Sequence, residues 1–167
     1  ACKLMERIIV NETLSFMHIN KVITKHQHSF LSGHSTTSNL LEAVNDWILT
    51  INSKKSVSVA YIDFKRAFDR VSHTKLLAKL RSCGISGQLL EWIENFLGRR
   101  SQQTKVDYSP SAVTSLCSGI VQGSVIGPML FVLYINDIAF LFNDLKCHCK
   151  LYADDLKLYT VIETDAD

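Results

Sequence analysis

The spacing of apolar and polar residues changes along the chain, and each change marks a predicted element. Apolar residues recur every three or four positions across 40–51, which predicts an amphipathic helix with one face against the core. That stripe consists of Leu40, Leu41, Val44, Trp47, Ile48 and Ile51. Ser35 and Thr36 precede it as N-cap candidates. A looser helical spacing from Lys3 to Ile19 predicts a first helix.

Strand-like alternation replaces the helical period in two further regions. Val57 to Phe64 alternates β-branched or aromatic residues with small ones, which predicts a strand that ends at Asp63. Two short runs, Lys150 to Tyr152 and Leu156 to Tyr159, predict a hairpin. Its tip would be Ala153-Asp154-Asp155, so two acidic side chains would stand where the chain reverses.

Glycine, serine and proline divide the middle of the chain. Gly84 is predicted to end a helix at 76–80, while Ser86 and Gly98 would cap the two ends of the next helix.

Further along, residues 102–108 and 113–117 predict two strands around a turn at Ser109-Pro110. Gly119 to Gly127 predicts a loop, and Pro128 suits the start of another helix.

Together these elements predict an α+β fold, a small antiparallel sheet with helices packed on one face. The length of 167 residues suits one domain with a hydrophobic core. With 47% hydrophobic and 20% charged residues, the chain has the composition of a globular protein. The net charge of +2 is too small to indicate nucleic-acid binding by itself.

The cysteines and the apolar runs bear on the compartment and on metal binding. Five cysteines without CxxC spacing favour a reducing, intracellular compartment, either nucleus or cytoplasm. Cys147-His148-Cys149 lacks the second ligand pair that a structural zinc site needs. The most apolar run, Met129 to Phe142, is shorter than the roughly 20 residues of a membrane span, so we expect no contact with a membrane.

Three acidic residues are the candidate chemistry. Asp63 ends a predicted strand, and Asp154 and Asp155 lie at a hairpin tip. Neighbouring carboxylates repel one another unless a cation lies between them, and Mg²⁺ prefers such oxygen ligands. Two ions about 4 Å apart can activate an attacking hydroxyl and stabilise a leaving group. Alternatively, Asp-Asp is simply a turn and Asp63 a strand end facing water; the residues alone leave both interpretations open.

Three segments resemble the motifs of reverse transcriptases. Tyr152 to Asp155 resembles the YxDD box, and Tyr61 to Asp69 resembles the first catalytic motif, an Asp at a strand end followed by Ala-Phe-Asp. Between them, Gln122 to Ser124, Gly127-Pro128 and the helix that continues to Asp137 resemble the middle motif. The motifs occur in the family's order, with compatible spacing.

Other segments are similar to the polymerases of non-LTR (LINE-type) retrotransposons. These segments are Ser32–Thr37, Phe68–His73, Leu76–Leu80, Cys83–Ile85 and Tyr134–Ile138. The resemblance implies a partial domain, with a helical fingers-side region at 1–56 and a palm at 57–167. The palm would be incomplete at its C-terminus and without a thumb. The strand from Leu156 to Val161 would then lack neighbours.

The resemblance also implies a reaction and a metal centre. Asp63, Asp154 and Asp155, with the backbone carbonyl of Phe64, would hold two Mg²⁺ ions, for which Mn²⁺ is a possible substitute. A primer 3′-hydroxyl would attack the α-phosphate of a deoxynucleotide (dNTP). An RNA template and a DNA primer are therefore the implied partners.

Further residues acquire roles through the same resemblance. Phe68 would disfavour a 2′-hydroxyl by its bulk, and Gln122 and Gly123 would contact the incoming nucleotide. Tyr152 would lie near the primer end. Phe68 and Tyr152 could instead be ordinary core aromatics. The residue before Gln122 is commonly proline in this family, whereas here it is Val121.

Asp69 and two histidines are interpreted as structural. Asp69 would cap a turn or pair with Arg66 or Arg70, and His34 and His73 would make hydrogen bonds. Two alternatives stay open for function. The chain could be a catalytically incompetent fragment that only folds or binds nucleic acid. It could also be an unrelated metal-dependent phosphotransferase, which leaves the loop containing Gln122 unexplained.

Overall fold

In the computed structural model, residues 2–142 and 145–163 are described, and they form five α-helices and seven strands within these ranges. The helices are α1 (Cys2–Ile19), α2 (Thr36–Asn52), α3 (His73–Ser82), α4 (Gly87–Leu97) and α5 (Gly127–Ile135). Two 3₁₀ helices span Phe68–Arg70 and Asn136–Phe142. The strands are β1 (Ser56–Asp63), β2 (Arg100–Gln102), β3 (Lys105–Val106), β4 (Ser109–Pro110), β5 (Thr114–Leu116), β6 (His148–Tyr152) and β7 (Asp155–Ile162).

The chain divides into two compact units. One, called the helical unit, comprises Ala1–Thr13 and Arg66–Tyr134. The other, called the sheet unit, comprises Leu14–Lys65 and Ile135–Asp167. The predicted boundary between residues 56 and 57 falls inside the sheet unit, and the division into fingers and palm stays a prediction. Residues 1, 143–144 and 164–167, which belong to those predicted regions, lie outside the described residues.

The sheet unit contains a three-stranded antiparallel sheet in the order β1-β7-β6. The predicted strand at 57–64 and the predicted hairpin are confirmed. The expectation that Leu156 to Val161 would lack neighbours is wrong, because β7 is the central strand and pairs along its length with β1. Pairing with a strand almost 100 positions earlier is non-local, so the hairpin sequence by itself did not reveal it.

Helix α2 covers one face of this sheet through polar and aromatic contacts. Lys157 Nζ donates a hydrogen bond to Asn39 Oδ1 at 2.8 Å, and the Tyr159 hydroxyl donates to the Asp46 carboxylate. The Trp47 ring meets the Tyr159 ring edge-on, with centroids 5.9 Å apart. Lys157 and Tyr159 are two positions apart on β7, so they share a face.

The opposite face of the sheet is covered as well. Cys149, Leu151 and Leu156 form a buried apolar cluster with Ala139 of the second 3₁₀ helix, and Phe142 packs against it. Leu151 and Leu156 are cross-strand partners, so they point to one face, which is opposite to that of Lys157. The predicted antiparallel sheet with a helix packed on one face is thus present, and the 3₁₀ helix Asn136–Phe142 covers the second face in addition.

The prediction that the apolar stripe of α2 packs against the core is wrong as well. Leu40, Leu41, Ile48 and Ile51 are exposed, with 49–63% of their surface accessible, whereas Asn39 and Ala43 are buried. The helix turns Asn39 and Asp46 to the sheet because Lys157 and Tyr159 need hydrogen-bond partners there. The hydrophobic period predicted the helix correctly but not the face that contacts the sheet.

The N-terminus of α2 agrees with the prediction. Ser35 is the N-cap, and its hydroxyl accepts a hydrogen bond from the Ser38 backbone N–H at 3.0 Å. Ser38 Oγ in turn accepts from the Ser35 backbone N–H at 2.8 Å, which completes a capping box. The predicted first helix is likewise confirmed as α1.

Within the helical unit, α3 and α4 bury their apolar stripes as expected. Their buried residues are Leu76, Leu77, Leu80, Leu90, Ile93 and Leu97. Ser86 and Gly98 occupy the two cap positions of α4, although the Ser86 side chain makes no capping hydrogen bond.

The strands after α4 differ from the prediction. β2 pairs with β5, and β3 pairs with β4, so Ser109-Pro110 is a strand rather than the turn. The turn lies at Asp107-Tyr108, where Asp107 adopts a left-handed φ of 53°. Asp tolerates that conformation better than most residues. Proline has no backbone N–H to donate, and an edge strand tolerates this because one of its sides is not paired with another strand.

Candidate metal centre and nucleotide site

Strand pairing brings two of the three predicted acids together. Asp63 is the last residue of β1 and Asp155 the first of β7, and they are cross-strand partners. Directly opposite residues of an antiparallel pair have Cα atoms roughly 4.5–5.5 Å apart and share a face. Asp154 precedes Asp155 in the tight turn from β6 to β7, after Ala153, whose φ is 52°. The three carboxylates therefore lie at one end of the sheet unit.

A buried polar segment before α2 supports this turn. Gln27 is fully buried, and its Oε1 accepts a hydrogen bond from the Ala153 backbone N–H at 3.3 Å. The same Oε1 accepts from the backbone N–H and the hydroxyl of Ser29, at 3.0 and 2.8 Å. Backbone bonds from His28 N–H to the Leu151 carbonyl (2.9 Å) and from Leu151 N–H to the His26 carbonyl (2.8 Å) fasten the segment beside β6.

Sequence reasoning missed this segment. Lys25 to Ser29 is polar throughout and shows no period, and polar residues are usually exposed. The burial of Gln27, His28 and Ser29 and the bridge between Gln27 and Leu151 show that the segment lies in the interior. No feature of the single sequence would have identified Gln27 as a buried residue.

The three acidic residues are at least partly accessible to solvent. Asp63 and Asp155 are exposed and Asp154 is half-buried. Among residues 2–142 and 145–163, no basic side chain forms an ion pair with any of the three. In that part of the chain, no three His, Cys, Asp or Glu side chains converge as a ready-made metal site. The donor set still suits a hard divalent cation, because unpaired neighbouring carboxylates offer only oxygen ligands and a net negative charge.

A cavity of about 340 Å³ lies beside Asp63 and Asp155 in the sheet unit. Its other lining residues are Thr36, Asn39, Tyr61, Ile62, Tyr152, Leu156 and Lys157. Tyr152 is the cross-strand partner of Asp155 and is half-buried, so its ring is accessible from the cavity. The Phe64 side chain, next to Asp63, packs against the apolar cluster on the other face.

Phe68, Gln122 and Gly123 belong to the helical unit. The Phe68 ring stacks on the Phe131 ring, with centroids 4.0 Å apart and planes 16° from parallel, and Phe68 is half-buried. Gly123 is exposed with φ of 78°, and no heavy atom lies within 4 Å of where a Cβ would stand. Glycine is therefore favoured at position 123 by the left-handed backbone conformation and not by a close neighbouring atom.

Gln122 has a partner that the sequence did not predict. Its Nε2 donates a hydrogen bond to Asp69 Oδ1 at 3.1 Å. Among the described residues, the Asp69 carboxylate forms no ion pair with Arg66 or Arg70, so that part of the interpretation is wrong. His73 does make the hydrogen bond expected of a structural histidine, between Nε2 and the Gly119 carbonyl oxygen at 2.8 Å.

His28 belongs to the buried polar segment before α2, and Glu42 of α2 lies close to its ring. The His28 ring is buried, its Nδ1 is 3.1 Å from Ser38 Oγ, and its Nε2 is 3.5 Å from the Glu42 carboxylate. Burial lowers the pKa of His28, partly offset by Glu42. A hydrogen bond from Lys150 lowers the pKa of Glu42. The second predicted structural histidine, His34, has its Nδ1 3.2 Å from the Ser32 carbonyl oxygen.

The comparisons with known proteins decide the family. The family model described as "Reverse transcriptase (RNA-dependent DNA polymerase)" matches residues 1–167, the whole chain. The chain belongs to the reverse transcriptase family. The resemblance to non-LTR (LINE-type) retrotransposon polymerases is confirmed by its relatives as well.

Three relatives from Drosophila melanogaster illustrate the similarity. The RNA-directed DNA polymerase from mobile element jockey is 34% identical over 136 residues, 81% of this chain and 15% of that protein. The probable RNA-directed DNA polymerase from transposon BS is 28% identical over 161 residues, 93% of this chain and 18% of that protein. The corresponding protein from transposon X-element is 29% identical over 136 residues, 81% of this chain and 15% of that protein.

This reverse transcriptase chain thus spans less than a fifth of the length of the curated relatives it matches. None of the helices in the described part of the chain is both long enough and apolar enough to cross a membrane.

Proposed function

We propose that this reverse transcriptase chain forms the metal-binding part of an RNA-directed DNA polymerase. The polymerase would add deoxynucleotides to the 3′-hydroxyl of a DNA primer paired with an RNA template. The observation that carries the proposal is the pairing of Asp63 with Asp155 at two adjacent strand ends, with Asp154 in the turn between β6 and β7. The sheet β1-β7-β6 would be the palm-type sheet, and residues 1–56 would lie on the fingers side.

The three carboxylates would act as metal ligands. Asp63, Asp154 and Asp155 would hold two Mg²⁺ ions, with the Phe64 backbone carbonyl as a further ligand, and Mn²⁺ could substitute. When bound, such ions would supply Lewis-acid activation of the primer hydroxyl and positive charge to offset that of the leaving pyrophosphate. The exposure of Asp63 and Asp155 leaves room for phosphate oxygens and water, which Mg²⁺ retains in its coordination shell.

Other side chains would bind and orient the substrates. Tyr152 lines the cavity beside the carboxylates, where it would pack near the primer end. The stack on Phe131 holds the Phe68 ring, which would exclude a 2′-hydroxyl by its bulk. Gln122 and Gly123 are exposed and would contact the incoming nucleotide. Catalysis would consist mainly of positioning and electrostatic stabilisation.

Primer extension on an RNA template with Mg²⁺ tests the proposal. The chain alone and the chain together with its adjoining coding sequence are compared with their Asp154→Asn and Asp63→Asn variants. Each substitution is expected to lower extension by about a hundredfold or more, because it removes charge that a metal ion needs. Neither should lower the midpoint of thermal unfolding, since each removes one negative charge from a group of like charges at the same end of the sheet.

Asp107→Asn is the matched control. Asp107 is an exposed aspartate at the β3–β4 turn, and asparagine tolerates its left-handed φ, so extension should be unchanged. Equal activity of the parent and the Asp154→Asn variant would contradict the metal-ligand role. Nucleic-acid binding without extension, even with the adjoining sequence present, would favour a catalytically incompetent protein.

A further inference from the structure

Asp69 lies next to the predicted sugar-contacting Phe68, yet its carboxylate is directed to the loop that carries Gln122. The distance from Gln122 Nε2 to Asp69 Oδ1 is 3.1 Å. We propose that Asp69 is a positioning residue that orients the Gln122 amide toward the incoming nucleotide. The inference rests on the proposed function, in which Gln122 contacts that nucleotide. Both residues belong to the helical unit.

The backbones that carry the two residues are joined at the base of the loop. Ile120 N–H donates to the Phe68 carbonyl at 2.9 Å, and Gly119 N–H donates to the Val71 carbonyl at 2.8 Å. The Ser118 hydroxyl donates to the Asp69 carbonyl at 3.0 Å. Three hydrogen bonds therefore fix the segment 118–120 against the segment 68–71, before the loop reaches Gln122.

Gly119 permits this close approach. Its φ is +92°, and a Cβ there would lie 2.9 Å from the Asp69 carbonyl oxygen and 3.1 Å from the Asp69 Cα. A larger residue would push the loop away from Asp69. The short distance between the two backbones lets the Asp69 side chain span the gap to Gln122, two positions beyond Ile120.

The chemistry of the pair sets the direction of the Gln122 amide. An ionised carboxylate only accepts hydrogen bonds, so the Gln122 Nε2 must face Asp69 and the Oε1 must face away. Gln122 is otherwise an exposed, flexible side chain, and ordering such a side chain on binding has an entropic cost. By ordering the amide beforehand, Asp69 would leave the Oε1 acceptor and one N–H available to a nucleotide.

A double-mutant cycle on primer extension tests the inference, with Asp69→Ala, Gln122→Ala and the double variant. The cycle uses the chain together with its adjoining coding sequence. Asp69→Ala should raise the KM for the dNTP by about tenfold with a smaller change in kcat, as expected for a lost hydrogen bond to a charged group. In the Gln122→Ala background it should have no further effect, because Asp69 would act through Gln122. Asp69→Asn retains a hydrogen-bond acceptor, so its KM for the dNTP should lie close to that of the parent.

The opposite results overturn the inference. If Asp69→Ala raises KM by the same factor with and without Gln122, Asp69 acts elsewhere. A large fall in kcat at unchanged KM would contradict a positioning role too. If the parent extends no primer, the proposed function fails separately. The cycle is then measured on thermal unfolding, where coupling between the two substitutions supports the positioning contact and its absence overturns it.

Discussion

The hairpin of the sheet unit and the loop of the helical unit hold their predicted site residues in different ways. Asp155 is placed by strand register, since it faces Asp63 across a ladder of backbone hydrogen bonds. Gln122 lies beyond any strand and depends on Asp69 and on the hydrogen-bonded base of the loop. Regular pairing fixes side-chain direction through a period of two, whereas a loop needs specific contacts to fix each side chain.

The difference extends to what supports each element. A buried glutamine lies behind the hairpin and bonds its turn, while a glycine at the base of the loop lets two backbones touch. Removing the first support should cost hydrogen bonds in the interior. Removing the second should introduce strain and a steric clash. The two replacements should therefore lower the free energy of unfolding by different amounts. They should also displace different predicted site residues.

The largest effect on stability is expected for Gln27→Ala. The substitution leaves the backbone N–H groups of Ala153 and Ser29 without their acceptor in a buried site. An unsatisfied buried donor costs about 1–3 kcal/mol, so the free energy of unfolding should fall by about 3 kcal/mol. Urea unfolding followed by circular dichroism measures the change. Because Ala153 precedes Asp154, polymerase activity should fall as well.

Gln88→Ala is the matched control for that experiment. Gln88 is exposed on α4 and alanine is a good helix former, so its replacement should change stability by less than about 0.5 kcal/mol. If Gln27→Ala is as mild as Gln88→Ala, the hydrogen bond to Ala153 does not hold the hairpin turn.

A smaller effect is expected for Gly119→Ala in the helical unit. The positive φ of +92° and the 2.9 Å approach to the Asp69 carbonyl should together cost about 2 kcal/mol. Gly33→Ala separates the two contributions, because Gly33 also has a positive φ (+77°) but no heavy atom within 4 Å of the added Cβ. It should cost only about 1 kcal/mol, the strain of the left-handed conformation alone.

The same pair of variants should also differ in activity. Gly119→Ala should also raise the KM for the dNTP, because it displaces the loop that carries Gln122, whereas Gly33→Ala should not. Equal costs for both glycine variants, measured by urea unfolding, would show that the contact with Asp69 relaxes without consequence.

The sequence predicted most elements that local patterns specify. The strand ending at Asp63, the hairpin around Asp154 and the capped helix after Ser35 are all present. Each depends on short-range rules of alternation, turn formation or capping. The motif segments also identified the family correctly, because their order and spacing extend over most of the chain.

Features that depend on residues far apart in the chain could not be predicted from the sequence. The predicted contact face of α2 was wrong because Asn39 and Asp46 form hydrogen bonds with Lys157 and Tyr159 of the sheet. These partners lie more than 100 positions further along the chain. The bond between Asp69 and Gln122 likewise joins residues 53 positions apart. Hydrophobic periodicity reports how apolar a helix face is, and it contains no information on which polar groups must be satisfied elsewhere.

The smallest predicted effect concerns pH and the segment that supports the hairpin. Burial lowers the pKa of His28, and also of His26, from their ordinary value of about 6.5. Below that value the unfolded chain binds protons that the folded protein does not, so stability falls as pH decreases. The stability that the two neutral histidines contribute is fully present above about pH 7. It is lost as the pH falls below their unfolded pKa of about 6.5 toward the lowered folded-state pKa. The His28→Gln variant cannot titrate at this position and isolates the contribution of His28.

Urea unfolding between pH 5 and pH 8 measures this effect in the parent and in His28→Gln. The parent should lose more stability between pH 7 and pH 5 than the variant, which retains only the contribution of His26 and of groups common to both proteins. Identical slopes would mean that Glu42, 3.5 Å from the His28 ring, compensates fully for burial. In that case the hairpin support would be insensitive to acid, and its dependence on Gln27 would be the remaining difference from the loop.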